Sequence, residues 1–249
     1  MPSVASMTLS LMLFYSQAVV AQPIPNWLPD DLKRQLPEWE IQQLGDSTPL
    51  WVLHREAMTP FVQGTLLLLP DPSQHPASPR HINFLRQAMN QHGWTTLALL
   101  PDATATTDQA ALAALRQQLH LVLEQSDWQQ GHLVVLAQGY SGYLLSQLEW
   151  TTLPRQPEAI VFLSSYHPEP ANNRELAQRI AQLSMPVLDM AHDTDHLHIS
   201  QTFEIRRQWG QKQANLLYRQ RLLTGYPELE ISQQRMYKEV YGWLNYLGL

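Results

Sequence analysis

From residue 50 to the C-terminus the chain alternates between two kinds of stretch. Short, nearly continuous apolar runs are each followed by a longer amphipathic one. The runs "PLWVLHREA", "GTLLLLPD", "WTTLALLPD", "HLVVLA", "EAIVFLSS", "MPVLDMA" and "ANLLYRQRL" read as strands. Between them, "PRHINFLRQAMNQHG", "TTDQAALAALRQQLHLVLEQ", "SGYLLSQLEW", "NNRELAQRIAQL" and "SQTFEIRRQWGQKQ" have helical spacing, and "ELEISQQRMYKEVYGWLNYL" closes the chain as a helix. A strand that is apolar on both faces must be covered on both, so the pattern implies an α/β fold. The expectation is a three-layer sandwich whose mostly parallel sheet of about seven strands carries helices on both faces. The strand beginning near His132 should be central. "PLWVLHREA" should lie antiparallel at an edge, in a hairpin with "GTLLLLPD". No long insertion follows "AIVFLSS", so no lid domain is expected.

A length of 249 residues suits one such domain, and no repeat or low-complexity tract divides it. Sixteen basic against 22 acidic residues leave a net charge of −6, which offers no broad attraction to nucleic acid or an anionic membrane. There is no cysteine, which excludes disulfides, thiolate catalysis and Cys-based zinc sites. The N-terminal stretch has no charge before Asp30, and its apolar run closes on Val19 and Ala21 ahead of Gln22 and Pro23. It reads as a secretory signal over residues 1–21, although no basic residue precedes the apolar run. Residues 22–48, rich in Pro and Trp, read as a lead-in, and residues 49–249 as the domain. The mature chain is then expected to be periplasmic or otherwise exported, with no membrane span.

The phrases "LLLLPD", "GWTTLALLPD", "LVVLAQGYSG", "AIVFLSS" and "MPVLDMAHDTD" together resemble the α/β-hydrolase superfamily from about Pro49 onward. Gly93 to Leu97, Pro186 to Asp189 and Tyr218 to Gln220 are similar to segments of a group of exported bacterial proteins of unknown function that share this fold. The resemblance implies a nucleophile elbow, G-x-S-x-G, between a central strand and a helix. In one register Ala137, Gln138, Gly139, Tyr140 and Ser141 occupy it, followed by Gly142, and glycine stands at the nucleophile. In the other, Ser141 is the nucleophile and Tyr143 takes the place of the last small residue. Of the acid candidates Asp193 and Asp195, Asp195 has the better spacing. No histidine follows His198, so the loop after the last strand lacks the general base that a serine needs. The loop that should supply an oxyanion-hole N–H reads Pro70-Asp71-Pro72-Ser73. A proline has no N–H to give, and an aspartate opposes a developing negative charge.

The stretch "HDTDHLH" gathers His192, Asp193, Asp195, His196 and His198, and its imidazoles are candidate ligands for a divalent ion. A plain polar loop at the carboxyl end of a strand needs no metal and is the favoured reading, and no cofactor is expected. Because ligands of open α/β sheets bind at the carboxyl ends of strands, the pocket should draw on Pro70, Asp71, Pro72, Ser73 and His75, on Ser165 and His167, and on Asp193 and Asp195. His75, His81 and His167 are candidate surrogate bases from the wrong part of the topology, although a lone loop histidine is more often solvated than catalytic. The leading expectation is a catalytically degenerate pseudo-hydrolase that binds a small molecule, an envelope component or a protein. The alternative is an esterase using Ser141, Asp195 and a displaced histidine. The oligomeric state is not legible.

Overall fold

The computed structural model describes residues 28–45, 50–78, 81–100, 104–125, 128–213 and 216–249. The expected signal segment, residues 1–21, lies outside them. Among the described residues eight strands form one sheet: β1 (Ile41–Leu44), β2 (Leu50–Arg55), β3 (Gly64–Leu69), β4 (Trp94–Leu99), β5 (His132–Gln138), β6 (Ala159–Leu163), β7 (Val187–His192) and β8 (Tyr218–Leu223). Their order is β1-β2-β4-β3-β5-β6-β7-β8. From β4 to β8 every pairing is parallel, whereas β1 with β2 and β2 with β4 are antiparallel.

Among the described residues seven α-helices flank the sheet: α1 (Leu28–Gln35), α2 (Ile82–Ala88), α3 (Asp108–Leu123), α4 (Tyr140–Leu145), α5 (Pro170–Gln182), α6 (Leu197–Lys212) and α7 (Glu230–Leu247). Alternation along β5 shows how the layers arise. Leu133, Val135 and Ala137 pack with Leu119 of α3, Leu144 of α4 and Ile180 of α5, while Val134 and Leu136 face Leu85 of α2 and Val240 of α7. Thr107 caps α3 by accepting from Ala110 N at 3.2 Å, as its position before the apolar run implies.

Three expectations about the elements need correcting. β2 and β3 are not a hairpin, because β4 lies between them and pairs with both. β2 is antiparallel as expected, but it is not the edge; β1, from the lead-in, lies outside it. β1 is half polar and only partly buried, so it carries no apolar run by which a sequence reading would find it. The helix expected over "SGYLLSQLEW" ends at Leu145, and a 3₁₀ turn follows at Trp150–Thr152.

The lead-in is also held by charge. Glu40 accepts from Arg55 at 3.0 Å and makes a second, shorter ion pair with Arg86, whose side chain is fully buried. Among the described residues no helix is long and apolar enough to cross a membrane.

Candidate functional site

β5 ends at Gln138 and α4 begins at Tyr140, so the whole reversal is made by Gly139. Its φ of 59° and ψ of −130° belong to a region that side-chain-bearing residues enter only under strain. That strained strand-to-helix turn is where a nucleophile elbow holds its serine. Gly139, and not Ser141, occupies this turn. Ser141 lies inside the first turn of α4 and is buried, and its hydroxyl donates to the Pro70 carbonyl at 2.6 Å. Gly142 is small for a packing reason: a β-carbon there would lie 2.6 Å from Ser165 Cβ.

The space that a nucleophile would fill is taken by Asp71. A β-carbon on Gly139 would lie 2.7 Å from Asp71 Cγ and 2.9 Å from its Cβ, and closer still to Oδ2. The same Oδ2 accepts the Tyr140 N–H at 2.8 Å, and Oδ1 accepts the Ser73 N–H at 2.8 Å and the Ser73 hydroxyl at 2.5 Å. The backbone N–H of the residue after the nucleophile is one of the two donors of an elbow-type oxyanion hole. Here it is bound to the chain's own carboxylate. A site so arranged has a fixed negative charge where acyl transfer needs to develop one.

Asp71 forms part of the floor of an open cleft of about 220 Å³ at the carboxyl ends of the central strands. Gln138, Gly139, Ser164, Tyr166 and Asp195 line it, with Pro227 and Glu228 from the segment after β8. That segment is where a triad histidine would come from, and a carboxylate stands there instead. Asp195 Oδ2 accepts the Ser164 hydroxyl at 2.5 Å and the His192 N–H at 2.7 Å, so the acid candidate ties two strand ends together. Burial, and then the Asp71 charge, pushes the Tyr166 hydroxyl above the ordinary tyrosine range. Among the described residues the non-glycines with positive φ are His81 (36°) and Ser164 (49°), and both line the cleft. His81 Nδ1 accepts from the Gln138 amide at 3.0 Å, which occupies that lone pair.

Several residues expected in the pocket are elsewhere. Pro70 and Pro72 do not line the cleft, although the Pro70 carbonyl holds Ser141. His75 lies 3.5 Å from the Asp31 carboxylate of α1. Asp193 accepts the Gly225 N–H at 3.0 Å and braces the segment after β8. Ser165 is fully buried beneath the turn, and its carbonyl accepts from Arg206. His167 belongs to a separate cluster, where Asp108 takes its Nε2 at 3.0 Å and the Tyr140 hydroxyl at 2.5 Å. Burial pushes the Asp108 carboxyl up, but the hydrogen bonds from Tyr140 and His167 outweigh it and hold the group below its ordinary value.

Of the three imidazoles of the 192–198 stretch, His196 and His198 are in ring contact, their centroids 4.7 Å apart, and His192 stands apart from them. His192 is buried behind His81, His196 stacks on Tyr166, and His198 borders a groove between α5 and α6. Among the described residues no three His, Asp or Glu side chains converge as a metal site would need. Reasoning from the sequence did not place Glu228, Pro227 or Ile199 in the cleft. The only signal for the first two was their position after the last strand.

The family model described as "Protein of unknown function (DUF3530)" matches residues 29–120 and 108–246. The chain belongs to this family. The fold of this DUF3530 member is that of the α/β-hydrolases, as its solved structural neighbours show. Est1E from Butyrivibrio proteoclasticus aligns with a TM-score of 0.63 at 11% identity, over 82% of this chain and 97% of that one. A dienelactone hydrolase from Anabaena variabilis gives 0.63 at 12%, over 83% and 98%. Thermogutta terrifontis esterase 2, phosphorylated by paraoxon, gives 0.64 at 11%, over 84% and 95%. A comparison with the curated proteins found no significant match.

Proposed function

We propose that this DUF3530 protein is an exported α/β-hydrolase-fold protein without nucleophilic catalysis, working in the cell envelope by binding a ligand or partner. The observation that carries this reading is the Asp71 carboxylate, bound to Tyr140 N–H in the space that a residue-139 side chain would need. The neighbours' titles name esterases and a hydrolase, yet a serine mechanism needs three things at once: a nucleophile, a base and an open oxyanion hole. In this chain glycine replaces the nucleophile, Glu228 stands near the expected base, and Asp71 takes the oxyanion donor. Ser141, the remaining hydroxyl, is committed to the Pro70 carbonyl.

One preparation tests both parts. Protein from the envelope fraction should begin at Gln22 by N-terminal sequencing, and it should not label with a fluorophosphonate or turn over simple esters. Gly139→Ser should also remain unlabelled, because one restored group without its partners recovers almost no rate. Intact Met1 in the cytosol would refute export. Robust labelling of the native protein that vanishes in Ser141→Ala would replace the binding reading with an esterase.

A further inference from the structure

Among the described residues β8 is the last strand of the sheet and pairs with β7 alone. The Leu217 and Leu223 carbonyls accept from the Val187 and Asp193 N–H groups. Backbone groups alternate along a strand, so the odd-numbered residues of β8 serve β7. Tyr218, Gln220 and Leu222 therefore turn their N–H and C=O groups outward. The Gln220 carbonyl agrees, since it accepts from the guanidinium of its own neighbour Arg221 at 3.3 Å. Such an edge, six residues long, is a template for another strand, whereas β1 at the opposite margin has four. Apolar side chains stand exposed at both of its ends: Leu216 is 97% exposed, Leu222 51% and Tyr226 64%. Two arginines share the face toward α7. Arg221 pairs with Glu239 at 3.0 Å, and Arg219 makes no hydrogen bond or ion pair among the described residues. Glu239 gives Oε2 to Arg221, and among those residues Oε1 accepts nothing.

We infer that β8 docks a second copy of this chain, antiparallel about a two-fold axis at Gln220, so that one sheet continues through both molecules. A two-fold contact is self-complementary, and each copy must supply what the other lacks. With the axis at Gln220, Tyr218 lies opposite the second copy's Leu222, and the outward N–H and C=O groups of facing residues bond each other. Leu216 arrives opposite the second copy's Thr224, near its Tyr226, so the apolar ends cover one another. Arg219 stands opposite the second copy's Arg221, beside the carboxylate that already holds it, and the unused Oε1 accepts Arg219. An axis at Arg219 or Arg221 would set an arginine directly against itself, which is destabilising. An axis at Leu222 carries Arg219 past that carboxylate to Gly225. A strand from another protein would have to bring its own acid and apolar ends, and this chain already carries both. None of these residues lines the cleft, so the inference stands apart from the binding reading above.

Sedimentation velocity of the intact mature protein tests the pairing. At about 100 μM it should run as a dimer, dissociating on dilution with a Kd of about 1–10 μM. Leu222→Lys puts a charge on the half-exposed position that faces the Tyr218 ring. It should weaken association at least about tenfold and leave the far-ultraviolet circular dichroism unchanged. The register has its own test, because the chain has no cysteine. Facing residues that do not hydrogen-bond each other have Cα atoms about 4.5 Å apart, within reach of a disulfide. The double variant Arg219→Cys/Arg221→Cys should therefore crosslink into a dimer under mild oxidation, and Arg221→Cys alone should not. A wild-type monomer at about 100 μM would overturn the inference, whatever other chain it captures. A dimer that Leu222→Lys leaves whole, or a double cysteine variant that stays uncrosslinked, would overturn it as well.

Discussion

At position 139 two demands meet in one residue. The backbone must hold a positive φ of 59°, and the volume beside Cα must be left to the Asp71 carboxylate. A serine there meets both objections, the strain costing about 1–3 kcal/mol before any collision. Asp71→Ala removes the collision but leaves the Tyr140 and Ser73 N–H groups without their acceptor, at about 1–3 kcal/mol. The double variant should therefore lose less stability than the sum of the singles, by about 0.5–3 kcal/mol in urea unfolding. Strict additivity would mean that Asp71 does not fill this space. Glycine at the nucleophile position and an ill-suited aspartate in the oxyanion loop were both legible in the sequence. The bond from the Tyr140 N–H to that aspartate was not, because it joins backbone and carboxylate across 69 positions of chain.

At the scale of elements, α6 is fastened to the sheet beneath the cleft by one buried cation. Arg206 donates to Asp189 Oδ1 of β7 at 3.0 Å and to the Ser165 carbonyl after β6, and both charged side chains are fully buried. The Tyr218 hydroxyl of β8 donates to Asp189 Oδ2 at 2.8 Å. Burial, and then the Asp189 charge, raises its pKa far above the ordinary range, so it stays protonated as a donor. Arg206→Met should cost about 3–5 kcal/mol in chemical denaturation, because it leaves Asp189 buried and without its cation. Replacing both partners with apolar residues should cost less than that single change. A loss below about 1 kcal/mol in Arg206→Met would show that the pair does not hold the helix. Arginines 206 and 207 are adjacent in the sequence and look alike, yet Arg207 is exposed and pairs with Glu204 on its own helix at 2.6 Å. Helical phase alone separates them.

For the whole molecule the lead-in matters more than its composition suggests. β1 covers the edge of β2, and Glu40 supplies the carboxylate for the fully buried Arg86. A chain beginning at residue 49 would expose an unpaired strand edge and strand a buried guanidinium. We expect it to be aggregation-prone and to melt well below the longer protein, by light scattering and circular dichroism. Equal solubility and an equal melting temperature would show the lead-in to be dispensable.

Which segments are strands, which are helices, and that the sheet is covered on both faces all follow from apolar periodicity, which is written locally along the chain. The apolar runs of β3, β4 and β5 could not have left either face in water. The absence of a histidine after His198 likewise needs no structure to be seen. The tertiary structure alone decided that β4 lies between β2 and β3, and that a half-polar segment closes the edge. It alone brought Asp71, Asp195 and Glu228 to one cleft. Those results depend on pairings and contacts between distant residues, whose energies come from shared burial and hydrogen bonding and leave no periodic trace in the sequence of either partner.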